Sequence, residues 1–201
     1  MSREHWNWMA SRYERLYRLN STRSQRIIKD RALMMIMPGK VLEVGAGTGI
    51  YTKYFCETES KITAIDFSPN MLNLAKLRNL KATLLLEDAT NTSFSDKSFD
   101  GAVGCYILQW IDHDLLFKEL HRVIRPGGRI AFLTDNIYNP VVIVLRLINY
   151  IDSLFRNGVH PKLVQRSKLS KVLLKNGFYS IKYSVLGLGA TLLVTAIRND
   201  L

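Results

Sequence analysis

Between Lys40 and Thr134, short β-prone segments alternate with helical ones, and that alternation limits the folds open to this chain more than any other feature. Val41-Leu42-Glu43-Val44 is short, apolar and closed by a turn, as a buried strand requires. Tyr51 to Phe55 begins a helix, and Lys61 to Asp66 predicts a second strand. Ser68-Pro69 starts the next helix: the serine caps a free N–H, and proline has none to leave unpaired. Ala82–Leu86, Phe99–Ile107 and Arg129–Thr134 predict three more strands. A helix capped by Asp112 and carrying Leu116, Leu120, Val123 and Ile124 precedes the last of these, and Arg125-Pro126-Gly127-Gly128 ends it. Such a chain closes into a parallel sheet with right-handed crossovers and helices on both faces, a doubly wound α/β fold. Ligands of such sheets sit at the carboxyl ends of the strands, where the strand order reverses.

The flanks read differently. Trp6, Met9, Tyr13, Leu16 and Tyr17 recur at helical spacing, and a second helix runs from about Ser24 through Ile27, Ile28 and Leu33 to Met37, stopped by Pro38-Gly39. Val141 to Phe155 is apolar enough for a partly buried helix or a lid. Ser167–Asn176 predicts a helix closed by Gly177, and Tyr179–Leu186 with Thr191–Ile197 predicts an antiparallel hairpin turning through Gly187-Leu188-Gly189-Ala190. The expected organisation is a single domain, 1–201: a helical cap (1–37), a ligand-binding core (38–135), an insertion or lid (136–166), and a closing helix with hairpin (167–201).

Composition adds constraints on partners. The net charge is +11, but residues 1–40 carry +6, residues 41–135 carry −2 and residues 136–201 carry +7. The basic surplus lies wholly in the flanks. They are either solvated helix faces or surfaces for an anionic partner: a phosphorylated substrate, an acidic membrane surface or RNA. Tyr183 to Ile197 is the longest uncharged run at 15 residues and is broken by Gly187 and Gly189, too short to span a bilayer. Met1 to Ala10 has no apolar stretch of a secretory leader. Cys56 and Cys105 match no metal or redox spacing, so the expectation is a cytoplasmic protein with reduced thiols and no metal site.

The turn Gly45-Ala46-Gly47-Thr48-Gly49 follows a strand and opens a helix. A dinucleotide turn places its third glycine one residue later, where this chain has Ile50. Glu43, two residues before the turn, suits a ligand with an amine or other cation there and suits a pyrophosphate poorly. Asp66 ends the second strand, where an acid can accept from both hydroxyls of a ribose. Asp88 and Ala89 end the third, where a carboxylate and an N–H can meet an adenine amino group and ring nitrogen. Three acids at three strand ends fit a cationic adenosine without phosphates, the form of S-adenosylmethionine.

Residues 40–135 closely resemble the class I S-adenosylmethionine-dependent methyltransferases, through "VLEVGAGTG", "AIDFSPNML", "EDATNTSFSDKSFDGAVGCYILQW" and "ELHRVIRPGGRIAF" in order. The resemblance implies a Rossmann-like seven-stranded sheet of order 3-2-1-4-5-7-6 with strand 7 antiparallel. It implies that the Glu43–Gly49 turn, with Gly45, Ala46, Gly47 and Gly49, lines the methionine part. Asp66 would take the ribose, Asp88 and Ala89 the adenine, with Phe67 and Met71 flanking its ring. Cys105 and Tyr106 would lie near the sulfonium. The implied activity is methyl transfer, leaving S-adenosylhomocysteine.

No base stands out. Tyr13, Tyr106 and His160 are catalytic candidates by chain position, as are Tyr17, His113 and Tyr138; Trp110 either walls the acceptor site or packs. The basic, apolar flanks favour a small-molecule or lipid-like acceptor, anionic or amphiphilic, such as a quinone precursor or a phospholipid amine, with peripheral contact to an anionic membrane. RNA methylation is the alternative that the basic charge supports, although "CYILQW" offers no nucleic-acid acceptor motif. A non-catalytic S-adenosylmethionine-binding protein is the third reading.

Overall fold

The computed structural model describes residues 3–18, 22–140, 142–144, 147, 162–186 and 189–200, with backbone alone for 11–18 and 22–25. Two helices come first, α1 (Arg3–Arg18) and α2 (Thr22–Met35). The core follows as β1 (Lys40–Val44), α3 (Thr52–Phe55), β2 (Lys61–Asp66), α4 (Pro69–Lys76), β3 (Ala82–Leu86), β4 (Phe99–Cys105), α5 (His113–Val123) and β5 (Ile124–Asp135). The chain closes with α6 (Arg166–Lys175), β6 (Phe178–Leu186) and β7 (Thr191–Arg198).

The seven strands form one sheet of order β3-β2-β1-β4-β5-β7-β6. The first five run parallel; β7 is antiparallel to both β5 and β6. Successive residues of a strand face opposite sides, and two cores result. Leu42, Val44, Ile130, Phe132, Leu192 and Val194 pack under α5 and α6. Val41, Ala64, Val103, Ala131 and Leu193 pack under α2 and the turn before α3. The strand order reverses between β1 and β4, so the crevice for a ligand opens at their carboxyl ends.

Local chemistry explains the helix starts. Ser68 caps α4 by accepting from the Met71 N–H at 3.2 Å, with Pro69 in the first turn. Asp112 caps α5 by accepting from the N–H groups of Asp114 and Leu115. The segment after β3 is pinned to α5 by Arg122, which donates to the carbonyls of Thr92 and Phe94 and to Glu119 and Asp96.

Several boundaries differ from the sequence expectation. The fourth strand stops at Cys105 rather than Ile107, because Tyr106 adopts φ 56° and turns the chain out of the sheet. The Arg125–Gly128 turn does not separate helix from strand: Ile124 already pairs with Phe99, and pairing resumes at Arg129 with Gly101. The turn is therefore a bulge inside β5. Gly128 is needed there, since a Cβ would stand 2.3 Å from the Ile124 side chain and 2.7 Å from the Asp100 carbonyl. The helix after the glycine turn is one turn long. The closing helix begins at Arg166 and its strand at Phe178, each one residue early. Most of the expected Val141–Phe155 helix lies outside the described residues, as do His160 and the Gly187-Leu188 part of the hairpin turn. No helix among the described residues is long and apolar enough to cross a membrane.

Candidate active site

A cavity of about 650 Å³ opens at the carboxyl ends of β1, β2, β3 and β4. The glycine turn forms its floor. Gly47 has φ 56°, and a Cβ there would meet nothing within 4 Å, so the glycine serves the backbone turn and leaves its space to the cavity. Gly49 has a different task. It does not line the cavity; a Cβ would fall 2.8 Å from the Leu80 side chain and 3.2 Å from Ala75, so it seats the turn against α4. Gly45 and Ala46 line the floor beside Gly47.

Asp66, at the end of β2, is 9% exposed. Its Oδ2 accepts from the Gly47 N–H at 2.8 Å and its Oδ1 from the Ser68 N–H at 2.9 Å. Burial raises its pKa, and these amide bonds oppose the rise. The carboxylate thus ties the glycine turn to β2 while each oxygen keeps a second acceptor site for a ligand. Glu43 is 1% exposed, lines the cavity, and its Oε2 has no hydrogen-bond partner. Burial pushes its pKa up to about 8, and the neighbouring Asp66 charge adds to this. Oε2 is thus an open acceptor at the cavity wall, a site for a cation or a hydrogen-bond donor, while the Thr52 hydroxyl beside the carboxyl favours its charged form.

Phe67, Met71, Asp88 and Ala89 line the same cavity. Asp88 Oδ1 takes both the N–H and the hydroxyl of Thr90, at 2.8 and 2.7 Å, which fixes its carboxylate at the end of β3. Glu87 is held in turn by the Ser93 hydroxyl. Across the crevice, Cys105 and Tyr106 end β4. Desolvation holds the Cys105 thiol well above its usual pKa, so it presents a neutral group. Tyr106 occupies a left-handed backbone conformation that costs a bulky residue about 1–3 kcal/mol. Three elements hold it there. Its N–H donates to the Leu133 carbonyl at 2.8 Å, Arg31 donates to its hydroxyl at 3.1 Å, and Thr191 Oγ1 lies 3.1 Å from the same oxygen.

The cap closes the other side. Trp6 of α1 meets Trp110 edge to face at 5.3 Å, and His5 and Met9 line the wall beside them. α1 is fastened to α4 through Asn7: its Oδ1 accepts from the Ser68 hydroxyl at 2.7 Å, and its carbonyl accepts from Asn70 Nδ2 at 3.2 Å. Burial lowers the pKa of His5 and favours its neutral form.

Eleven of the twelve residues expected around the ligand line this cavity, Gly49 being the exception. Of the catalytic candidates among the described residues, only Tyr106 lines it. The Tyr13 and Tyr17 side chains and His160 lie outside the described residues. His113 binds the Leu108 carbonyl at 2.7 Å and does not line the cavity, and Tyr138 is exposed under Arg166. Sequence reasoning missed His5, Tyr51, Gln109 and Asp135, all in the wall. Asp135 carried a readable signal, since it ends a strand as Asp66 does; Gln109, buried with its Oε1 on the Thr134 hydroxyl, carried none. Among the described residues no group of His, Cys, Asp and Glu could hold a metal ion.

Among the described residues six acids line the cavity (Glu43, Asp66, Glu87, Asp88, Asp112 and Asp135) and no lysine or arginine does. A ligand with phosphates is repelled by such a wall, and S-adenosylmethionine, a cation without phosphate, fits it. Glu43 and the glycine turn would hold the methionine part, Asp66 the ribose, and Asp88 with Ala89 the adenine.

Comparison with known proteins points to the same cofactor. Residues 42–132 match the family model described as "Methyltransferase domain". A demethylmenaquinone methyltransferase of Staphylococcus epidermidis is 31% identical over 175 residues, which is 80% of this chain and 70% of that protein. A malonyl-[acyl-carrier protein] O-methyltransferase of Serratia marcescens is 35% identical over 114 residues, 55% of this chain and 45% of that protein. The chain thus spans about half the length of the first curated relatives it matches. A crystal structure of a methyltransferase from Thermotoga maritima, titled a possible histamine N-methyltransferase, superposes with TM-score 0.77 at 18% identity, over 98% of this chain and 100% of that one. At that identity it speaks for the fold alone.

Proposed function

The chain belongs to the class I S-adenosylmethionine-dependent methyltransferases, and from that premise we propose that it transfers a methyl group from S-adenosylmethionine to a small-molecule or lipid-like acceptor. One observation carries the reading: Glu43, Asp66 and Asp88 stand around a glycine turn in one cavity, and among the described residues no lysine or arginine lines it. When bound, S-adenosylmethionine supplies an electrophilic methyl group on a cationic sulfur.

The chain's own residues bind, orient and exclude water. Asp66 accepts from the ribose hydroxyls while its amide bonds hold the turn in register. Glu43, ionised by a cationic ligand, stabilises that charge from below. Trp6 and Trp110 cover the cavity and keep water from the reacting centre. The main demand on the protein is to hold the nucleophile about 3 Å from the methyl carbon, in line with the breaking bond.

The acceptor lies beyond Cys105 and Tyr106 in this reading. Support for a small or carrier-linked acceptor comes from the relatives, whose names specify a malonyl-acyl carrier protein and a demethylmenaquinone. Support for an amphiphilic one comes from the segment between β5 and α6, which exposes Tyr138, Ile143, Val144, Leu147 and Leu163 in a stretch of the chain with a large basic surplus. The protein is expected to take methyl-labelled cofactor and pass label to a lipid or small-molecule extract. Label in an RNA extract would replace this acceptor class with RNA, and cofactor binding with no labelled product in any extract would favour a binding protein.

A further inference from the structure

Arg31 projects from α2 beside the end of β4, half-buried. Its Nη1 donates to the Tyr106 hydroxyl at 3.1 Å. Among the described residues no carboxylate pairs with it. A half-buried guanidinium without a counter-charge, one side chain behind the wall of an acidic cavity, is an unusual placement. Its hydrogen-bond partner among the described residues is a cavity-lining tyrosine, held in a left-handed turn by β5 and β7. Tyr51 packs against the same ring at 6.3 Å. This corner lies at the ends of β4 and β7, across the glycine turn from Asp66 and Asp88.

We propose that Arg31 and Tyr106 select an acceptor that presents an anionic oxygen, the Tyr106 hydroxyl meeting that oxygen and Arg31 supplying the compensating charge from behind. The inference rests on the methyl-transfer reading above and names the acceptor class it left open. The acids of the cavity attract a cationic cofactor and repel an anion, and Arg31 sets a cation behind Tyr106 in that wall. The Arg31 N–H donates to the phenol oxygen, which polarises the phenol as a donor toward an acceptor oxygen. An ammonium acceptor would meet the guanidinium charge and be disfavoured. An anionic oxygen also answers the lack of an assigned base. A carboxylate oxygen forms the new bond to the methyl carbon with its own electron pair, the pair of the broken carbon–sulfur bond stays on sulfur, and no proton is transferred. In this scheme Tyr106 touches the acceptor, and Arg31 is a positioning residue.

The test is calorimetric titration of the protein saturated with S-adenosylhomocysteine, using four probes. Monomethyl malonate is the carboxylate, 4-nitrophenolate the phenolate, dimethyl malonate the neutral ester and histamine the cation. The expected result is that one anion binds at least about tenfold more tightly than the neutral and cationic probes, and which anion does so separates a carboxylate acceptor from a phenolate one. Arg31→Met is expected to remove that preference while the affinity for S-adenosylhomocysteine stays within about twofold. Arg31→Lys restores part of the preference, which a purely structural role for the side chain would not produce, and Tyr106→Phe weakens anion binding. Equal binding of all probes, or an anion preference intact in Arg31→Met, overturns the inference. Failure of the unaltered protein to bind S-adenosylhomocysteine at all overturns the methyl-transfer reading itself.

Discussion

Glu43 is a carboxyl kept dry by the fold, with a pKa near 8, and its titration has a sign that can be measured. In the unfolded chain it titrates near the ordinary glutamate value, so between about pH 4.5 and 8 the folded protein binds the extra proton. Stability of the ligand-free protein from this group is therefore full below pH 4.5 and is lost as pH rises through about 8. Melting temperatures from pH 5 to 9 should fall for the unaltered protein and fall less steeply for Glu43→Gln; parallel curves would remove Glu43 from the account. Cofactor affinity should move the opposite way, rising over the same range with proton release on binding, because the cation selects the ionised acid. Asp66→Ala removes a carboxylate that meets both ribose and Gly47, and should weaken S-adenosylmethionine binding by roughly 1–3 kcal/mol in calorimetry. Unchanged affinity would sink the ribose assignment. Both acids were legible in the sequence, because each is fixed by its place on one strand beside one turn. Arg31, Tyr106 and Thr191 were not legible as a group: they meet only once β4, β7 and α2 are assembled, and nothing within 75 residues of Arg31 points to its partner.

At the scale of elements, the joint between α1 and α4 controls the cap. Ser68 serves two helices at once, accepting from Met71 N–H and donating to Asn7. Ser68→Ala should cost about 1 kcal/mol in urea unfolding, the ordinary loss of a helix cap. Asn7→Ala leaves that cap and unfastens α1, so the expected effect is local: faster amide exchange across residues 3–10 and faster cofactor release, with little change in global stability. Equal exchange in variant and parent would show that packing of Trp6 on Trp110, not Asn7, holds the cap. The strands of the core and the Ser68 and Asp112 caps were readable because local pattern and tertiary position agree there. The β5 bulge was not. Arg125-Pro126-Gly127-Gly128 has every mark of a turn and is one, but whether pairing begins before it depends on Phe99 arriving beside Ile124, a contact between strands.

For the whole molecule the charge layout is the decisive quantity. Two basic flanks frame a core that is itself slightly acidic and holds the cationic ligand, so the global field and the field of the cavity have opposite signs. An anionic surface drawn to the flanks would not compete for the cofactor site. Tyr138, Ile143, Val144, Leu147 and Leu163 add exposed apolar side chains that a purely solvated face has no use for. Lys168 and Lys171 stand exposed on α6 just after them. Electrostatic attraction of about 1 kcal/mol per basic residue near an anionic leaflet, plus shallow apolar insertion, is enough for reversible binding. The protein should therefore float with vesicles containing anionic phospholipid at low salt, release at about 0.5 M salt, and ignore purely zwitterionic vesicles. Replacing Val144 and Leu147 by serine should weaken flotation while cofactor affinity stays unchanged, since neither residue lines the cavity. Flotation that survives high salt would make the apolar segment the main anchor, and no flotation at low salt would confine the acceptor to the soluble phase.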